Sequence, residues 1–224
     1  VFAIISAAGG LKSSSTILLE KIAISIVLAV SLSLVVGFLG ELSLGHAGFM
    51  CIGAYLGGKV ASLLVPVFGN GTVTMLIALF VGGGCAALLG FLVGLPALRL
   101  KGDYLAIVTL AFGEIVKVIF QQSRLFGGNL GLSTPNRPNR NTFFIVAFAL
   151  VLFTLLIIQN LMRSKHGRAI TAIRDNEIAA RATGINVTKY KLVAFMISAF
   201  FAGIAGVMFS YTNSSVQAVK FGYN

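Results

Sequence analysis

Ile22-Ala-Ile-Ser-Ile-Val-Leu-Ala-Val-Ser-Leu-Ser-Leu-Val-Val-Gly-Phe-Leu-Gly40 carries no charge between Lys21 and Glu41. A membrane-spanning helix needs about 20 mostly apolar residues, so this run reads as the first complete span. The pattern repeats along the chain. Leu42 to Gly58 is weaker and follows Glu41 into the polar Leu-Ser-Leu-Gly-His-Ala-Gly48, which reads as an interrupted helix. Val60 to Leu98 is free of charge but too long for one crossing. Pro66 with Gly69-Asn70-Gly71 supplies a turn there, leaving a third span at about Val73 to Leu95. Tyr104 to Gln121 and Asn141 to Met162 are the fourth and fifth, separated by the Gly-, Pro- and Asn-rich stretch Gln122 to Arg140. Arg163 to Lys191 is the one long hydrophilic segment, and Leu192 to Tyr211 is the sixth span. Val1 to Ala8 reads as the stump of another helix. With no leader-like segment and Val1 in place of Met, the expectation is a fragment.

Composition agrees. Of 224 residues, 57% are hydrophobic and 10% charged, whereas a soluble domain carries roughly 25% charged residues. The expected fold class is all-α: a polytopic transmembrane helix bundle of about six spans. The net charge of +11 would suit either a nucleic-acid binder or a membrane protein with basic cytoplasmic loops. Position decides between them, because Arg163, Lys165, Arg168, Arg174, Arg181, Lys189 and Lys191 outnumber Asp175 and Glu177 within one loop. That loop is expected to be cytoplasmic, and no nucleic-acid partner is implied. Alternation then puts Arg99 and Lys101 inside, and Lys12 and the Pro66 to Thr72 turn outside. The loop with Arg124, Arg137 and Arg140 also falls outside, against the rule. Cys51 and Cys85 lie too far apart and in surroundings too apolar for a zinc knuckle or a disulfide framework.

Gly82-Gly-Gly84, Gly90, Gly94, Gly203 and Gly206 let helix backbones approach closely, as a packed multi-helix bundle requires. Gly37, Gly40, Gly45, Gly48 and Gly53 instead cluster around Ser43 and His46. Irregular backbone at membrane depth is tolerated only where protein or a water-filled cavity satisfies it. Two readings stand: a substrate pathway, or a tightly packed kink in which His46 is a satisfied packing residue. Glu114, near the middle of the fourth span, costs roughly 2.5 to 3.5 kcal/mol as an ion. Lys117 can pair with it one turn away, which leaves a structural pair facing the bundle interior and a role in transport equally open.

Catalytic chemistries fail on spacing. Gly53-Ala-Tyr-Leu-Gly-Gly-Lys59 fits part of a phosphate-binding loop, but Val60 stands where a magnesium-binding Ser or Thr is needed, so this chain should not hydrolyse ATP. Ser43 and His46 share one segment, and Gly-x-Ser-x-Gly is absent, which excludes an intramembrane serine protease. Asp103 and Asp175 lie in polar connections, so an aspartyl protease fails too. No metal site or bound cofactor is implied.

Within the basic loop, Ile170 and Ile173 form a helical stripe that breaks at Arg174-Asp175-Asn176 and resumes at Ile178, Ala182 and Ile185. Two short helices are predicted. Asp175 serves as the expected N-cap of the second, Glu177 favours its positive end, and Gly184 fits the C′ stop. Such a helix, with Ala179, Ala180 and Ala182 along it, either docks in a partner's groove or is a solvated amphipathic loop.

Three stretches together carry a resemblance. They are Gly40-Glu-Leu-Ser-Leu-Gly-His-Ala-Gly-Phe49 with Gly53-Ala-Tyr55, Leu98-Arg-Leu-Lys-Gly-Asp-Tyr-Leu-Ala-Ile-Val-Thr-Leu-Ala-Phe-Gly-Glu114, and Gly167-Arg-Ala-Ile-Thr-Ala-Ile-Arg-Asp-Asn-Glu-Ile-Ala-Ala180 with Gly184. In order and spacing the chain resembles the permease subunit of branched-chain amino-acid ABC importers, a pattern that urea and amide importers share. The resemblance implies one transmembrane permease domain over residues 1–224 that forms the translocation path for branched-chain amino acids. It also implies a bacterial inner-membrane location, a second homologous permease, ABC ATPase subunits that bind ATP and Mg, and an extracytoplasmic substrate-binding protein.

Residues 163–191 would then be the ATPase-docking loop, with Gly167, Arg168, Arg174, Asp175, Asn176, Glu177, Ala179, Ala180 and Gly184 as its coupling residues. Ile178 interrupts the Glu-Ala-Ala run of the general importer loop, and no Leu-Pro follows. Glu41, Ser43, Gly45, His46, Thr109 and Glu114 are the translocation-path candidates. Such permeases usually continue with further helices beyond about Ser214, so truncation at both ends is expected. The rival reading is a stand-alone ion-coupled carrier or channel gated by Glu114 and Lys117.

Overall fold

The computed structural model describes residues 13–69, 71–98, 100, 102–134, 140–213 and 215–221. The stump at Val1 to Ala8 and the loop charges Lys12, Arg99, Lys101 and Arg137 lie outside them. Eight α-helices account for most of the described chain. Helix α1 is Ser13–Ser33 and runs on as a π-helical turn, Leu34–Leu39; α2 is His46–Phe68, α3 Thr72–Ala97 and α4 Asp103–Gln122. After the connecting segment come α5 Arg140–Arg163, α6 Lys165–Asp175, α7 Glu177–Ala182 and α8 Val187–Thr212. Six of these are long and apolar enough to cross a membrane: Ser15–Leu39, His46–Val67, Thr72–Ala97, Tyr104–Gln122, Asn141–Arg163 and Val187–Thr212.

The spans are longer than the charge-free runs because a helix continues through a charge that its packing accommodates. Helix α1 starts before Glu20, which is fully buried, and Lys21. Helix α2 passes Lys59 and holds Pro66 in its last turn. The chain reverses instead at Gly69, whose φ of +72° a residue with a side chain rarely adopts. The second span is broken where its sequence says. After Leu39 the backbone leaves helical geometry at Gly40 and regains it at His46.

Helix α8 is the most buried of the six and packs chiefly on α3 and α2, then on α1. Glycine makes that contact possible. A Cβ at Gly53 would run into the main chain of Gly203, and one at Gly206 into the carbonyl of Met50. Dispersion between closely apposed backbones replaces the hydrophobic drive that lipid does not provide. At the end of the bundle away from α6 and α7, Leu132–Ser133 (β1) pairs antiparallel with Ser215–Val216 (β2), with Leu132 opposite Val216. Tyr55 locks this end: its hydroxyl donates to the Val216 carbonyl at 3.1 Å, and its ring stacks on Phe120 at 4.7 Å between centroids.

Candidate functional site

Residues 40–45 run back along α1, since His46 reaches Ser31, eight residues before Leu39. The His46 Nε2 lies 2.8 Å from the Ser31 Oγ, so the irregular segment climbs by roughly 12 Å at 1.5 Å per helical residue. The Ser31 hydroxyl itself donates to the Leu28 carbonyl at 2.8 Å, which assigns the hydrogen of the first bond to Nε2. Ser198 of α8 donates to the Ser31 carbonyl at 2.6 Å. Three elements thus meet in a buried polar layer.

Helix α4 closes the other side. The Leu44 N–H donates to Thr109 Oγ1 at 3.0 Å, and that hydroxyl donates to the Ala106 carbonyl at 3.0 Å. A Cβ at Gly45 would stand 2.5 Å from the Thr109 carbonyl oxygen, and one at Gly48 2.8 Å from the Gly113 Cα. The helix needs glycine at these positions to seat against α4. Ser43 is 4% exposed, and its Oγ has no hydrogen-bond partner among the described residues. It stands on the non-helical stretch that leads into α2. Ser43, Gly45, His46 and Thr109 are therefore one cluster.

Two other path candidates fall elsewhere. Glu114 pairs with Lys117 at 2.5 Å as spacing predicts, but its side chain is 42% exposed. The bundle interior takes Leu105, Thr109, Val116 and Phe120 from α4, and Glu114 lies off that face. Of the pair, Lys117, 20% exposed, is the more enclosed. Glu41 sits beside Lys191 and Glu177, at the end of the bundle that carries α6 and α7.

The loop between α5 and α8 forms the two predicted short helices. Ser164 caps α6 by accepting from the N–H groups of His166 (3.2 Å) and Gly167 (3.4 Å). Buried Gly167 lets α6 fold tightly over the last turn of α5, since a Cβ there would lie 2.5 Å from the Leu161 oxygen. Arg168 and His166 are exposed. The expected N-cap at Asp175 is corrected: Asp175 is the last residue of α6 and pairs with Arg174 at 3.1 Å, while Asn176 caps α7. The Asn176 Oδ1 accepts from the N–H groups of Ile178 and Ala179, both at 3.0 Å. Asn176 alone leaves helical geometry, with φ −158° and ψ 104°, which an N-cap requires.

Gly184 stops α7 at φ +84°, where its N–H meets the Arg181 carbonyl (3.0 Å) and the Ile185 N–H meets that of Ala180 (3.1 Å). This is the Schellman pairing. The apolar stripe is corrected in its second half. Ile170 and Ile173 are buried, but Ile178 is 79% exposed and Ala179 and Ala182 are also open; Ala180 is the buried residue of α7. The break at Asn176 turns the second helix, so its isoleucine faces outward.

Comparison with known proteins matches this architecture. The family model described as branched-chain amino acid transport system / permease component covers residues 15–224. The chain belongs to that permease family. It is 38% identical over 230 residues to the high-affinity branched-chain amino acid transport system permease protein LivM of Salmonella typhimurium, and equally to LivM of Escherichia coli. Each alignment covers 88% of this chain and 52% of the relative. The ribose import permease protein RbsC of Escherichia coli is 26% identical over 214 residues, covering 89% of this chain and 62% of the relative. The chain spans about half the length of the LivM relatives it matches. No solved structure matches it. With six span-length helices and this family, the chain is a multi-pass inner-membrane protein.

Several residues of these buried polar contacts escape a reading of the sequence. Lys191 stands in the loop as one basic residue among seven, yet it is 4% exposed and joins two acids. Ser31 and Ser198 look like ordinary serines of apolar helices. Nothing periodic marks them, and only the bonds from His46 to Ser31 and from Ser198 to the Ser31 carbonyl reveal them.

Proposed function

We propose that this chain is the membrane-spanning permease subunit of an ATP-driven ABC importer and forms part of the translocation path for branched-chain amino acids. The α6–α7 hairpin carries the reading. Two capped short helices stand at the end of the bundle, and α7 presents Ile178, 79% exposed, with exposed Ala179, Arg181 and Ala182 beside it. An apolar side chain on a small-residue helix fits a groove on a partner protein, and the partner required is an ABC ATPase that binds ATP and Mg. Residues 163–191 then lie in the cytoplasm. A second homologous permease and an extracytoplasmic binding protein complete the assembly. The substrate class rests on the LivM relatives, which are named as branched-chain amino acid permeases.

The mechanism requires no covalent step. The path must offer a zwitterion with an aliphatic side chain an apolar route with a few fixed polar groups. The cluster of Ser43, Gly45, His46 and Thr109 supplies a buried hydroxyl on non-helical backbone, just before the start of α2. ATP-driven motion of the ATPases displaces α7, and packed helices convey that shift as alternating access.

Purification of the tagged protein from native membranes tests this reading. The expected result is co-purification of an ABC ATPase and ATP-dependent uptake of labelled leucine that excess isoleucine or valine suppresses and urea does not. Uptake driven by an ion gradient by the chain alone would instead support a stand-alone carrier using the Glu114–Lys117 pair.

A further inference from the structure

The docking hairpin and the broken helix meet at one buried cation. Lys191, the fifth residue of α8, donates to Glu41 Oε1 on one side and to Glu177 Oε2, 3.1 Å away, on the other. Glu41 belongs to the irregular segment; Glu177 opens α7 and is held from its far side by Arg181 at 2.5 Å. A second tie lies alongside. Arg174, near the end of α6, donates to the Gly37 carbonyl at 3.1 Å, and its Cγ is 2.6 Å from where a Cβ on Gly40 would be. Each short helix therefore grips residues 37–41, and three residues further on the Leu44 N–H meets Thr109.

We propose that Lys191 is a positioning residue for transport: shared by Glu177 and Glu41, it makes any displacement of α7 move the irregular segment against Thr109 and His46. The physical reason is the cost of separation. Pulling Glu177 away removes one of the two carboxylates around a lysine that is 4% exposed, and pulling Glu41 away leaves that carboxylate, 13% exposed, without its cation; taking a partner from a buried ion pair is destabilising. The three groups accordingly move as a unit, whereas an apolar contact would let α7 slide. The proposal rests on the docking reading given above and adds the residue through which the docked helix acts.

The test uses the whole importer, purified with its ATPase and reconstituted in liposomes, with uptake and ATP hydrolysis measured together. Lys191→Met alone strands Glu41, since Glu177 keeps Arg181, so the informative variant is the neutral triple Glu41→Gln, Lys191→Met, Glu177→Gln, which leaves only Arg181, 59% exposed, without its acid. The expected result is that the triple variant retains its ATPase and hydrolyses ATP, while substrate moved per ATP falls roughly 5-fold or more, within the range of measured coupling free energies. Lys191→Arg alone, which keeps the cation between the two acids, should keep most of the ratio. An unchanged ratio in the triple variant would overturn the proposal while leaving docking intact. Loss of the ATPase from the triple variant would also overturn it, by placing the three residues in the docking surface itself. Absence of any ATPase from the unmodified protein would overturn the docking reading instead.

Discussion

The guanidinium of Arg174 donates to the main-chain carbonyl of Gly37, 137 positions earlier in the chain and 3.1 Å away. Gly37 lies in the π-helical turn that ends α1, a geometry often found at functional sites. The bond fixes α6 to the last turn before the irregular segment. Gly40→Ala should break this arrangement twice: its φ of +77° strains a side chain by about 1–2 kcal/mol, and the new methyl displaces Arg174. A lower unfolding temperature in detergent is expected for Gly40→Ala, and a smaller decrease for Arg174→Ala, which costs about 1 kcal/mol for a half-exposed hydrogen bond.

Asn176, and not its acidic neighbour, caps α7. Asn176→Ala should cost about 1 kcal/mol of helix stability and weaken ATPase retention, while Asn176→Asp preserves the cap. Asp175→Ala should change little, because its pair with Arg174 is a surface pair. Co-purification yields of the three variants check the order; equal loss from Asp175→Ala and Asn176→Ala would refute it.

The contact between Gly45 and Thr109 leaves no room for a methyl group. Gly45→Ala is expected to push α4 from the irregular segment and lower substrate uptake by roughly tenfold, the effect of about 1.4 kcal/mol. Gly71→Ala is the control, since no atom lies within 4 Å of its added Cβ and its φ is −122°. Uptake by the two variants at matched membrane levels provides the comparison.

Ser31 joins α1, α8 and the start of α2. Ser31→Ala removes the partner of a buried ring nitrogen and should destabilise the fold by about 1–3 kcal/mol. Ser33→Ala removes only a bond from Ser33 to the Val30 carbonyl within the same helix, and its unfolding temperature should stay near that of the unmodified protein.

The spans were legible because apolar length is a local property. Their ends were not, since whether a helix tolerates Glu20, Lys21 or Lys59 depends on what packs against it. The cluster at Ser43, Gly45 and His46 could be read from glycine density inside an apolar region. Thr109 joined it through the family motif, and the structure brings it against Leu44. Lys191 was illegible for a plain reason: its two acids lie 150 and 14 positions away, and neither distance leaves a period in the sequence. Asp175 and Asn176 can both cap a helix, and the backbone chooses between them where α6 ends. The outward turn of Ile178 follows from that same break, because the stripe set by Ile170 and Ile173 does not carry across a non-helical Asn176.

The account stands on six crossings that hold the α6–α7 hairpin on the ATP side of the membrane. A single cysteine at Ile178, in a chain whose Cys51 and Cys85 are replaced by Ala, can be challenged with a membrane-impermeant maleimide in intact cells and in inside-out vesicles. Labelling in the vesicles alone is the predicted result. Labelling from outside intact cells would put the hairpin on the wrong side and contradict the account.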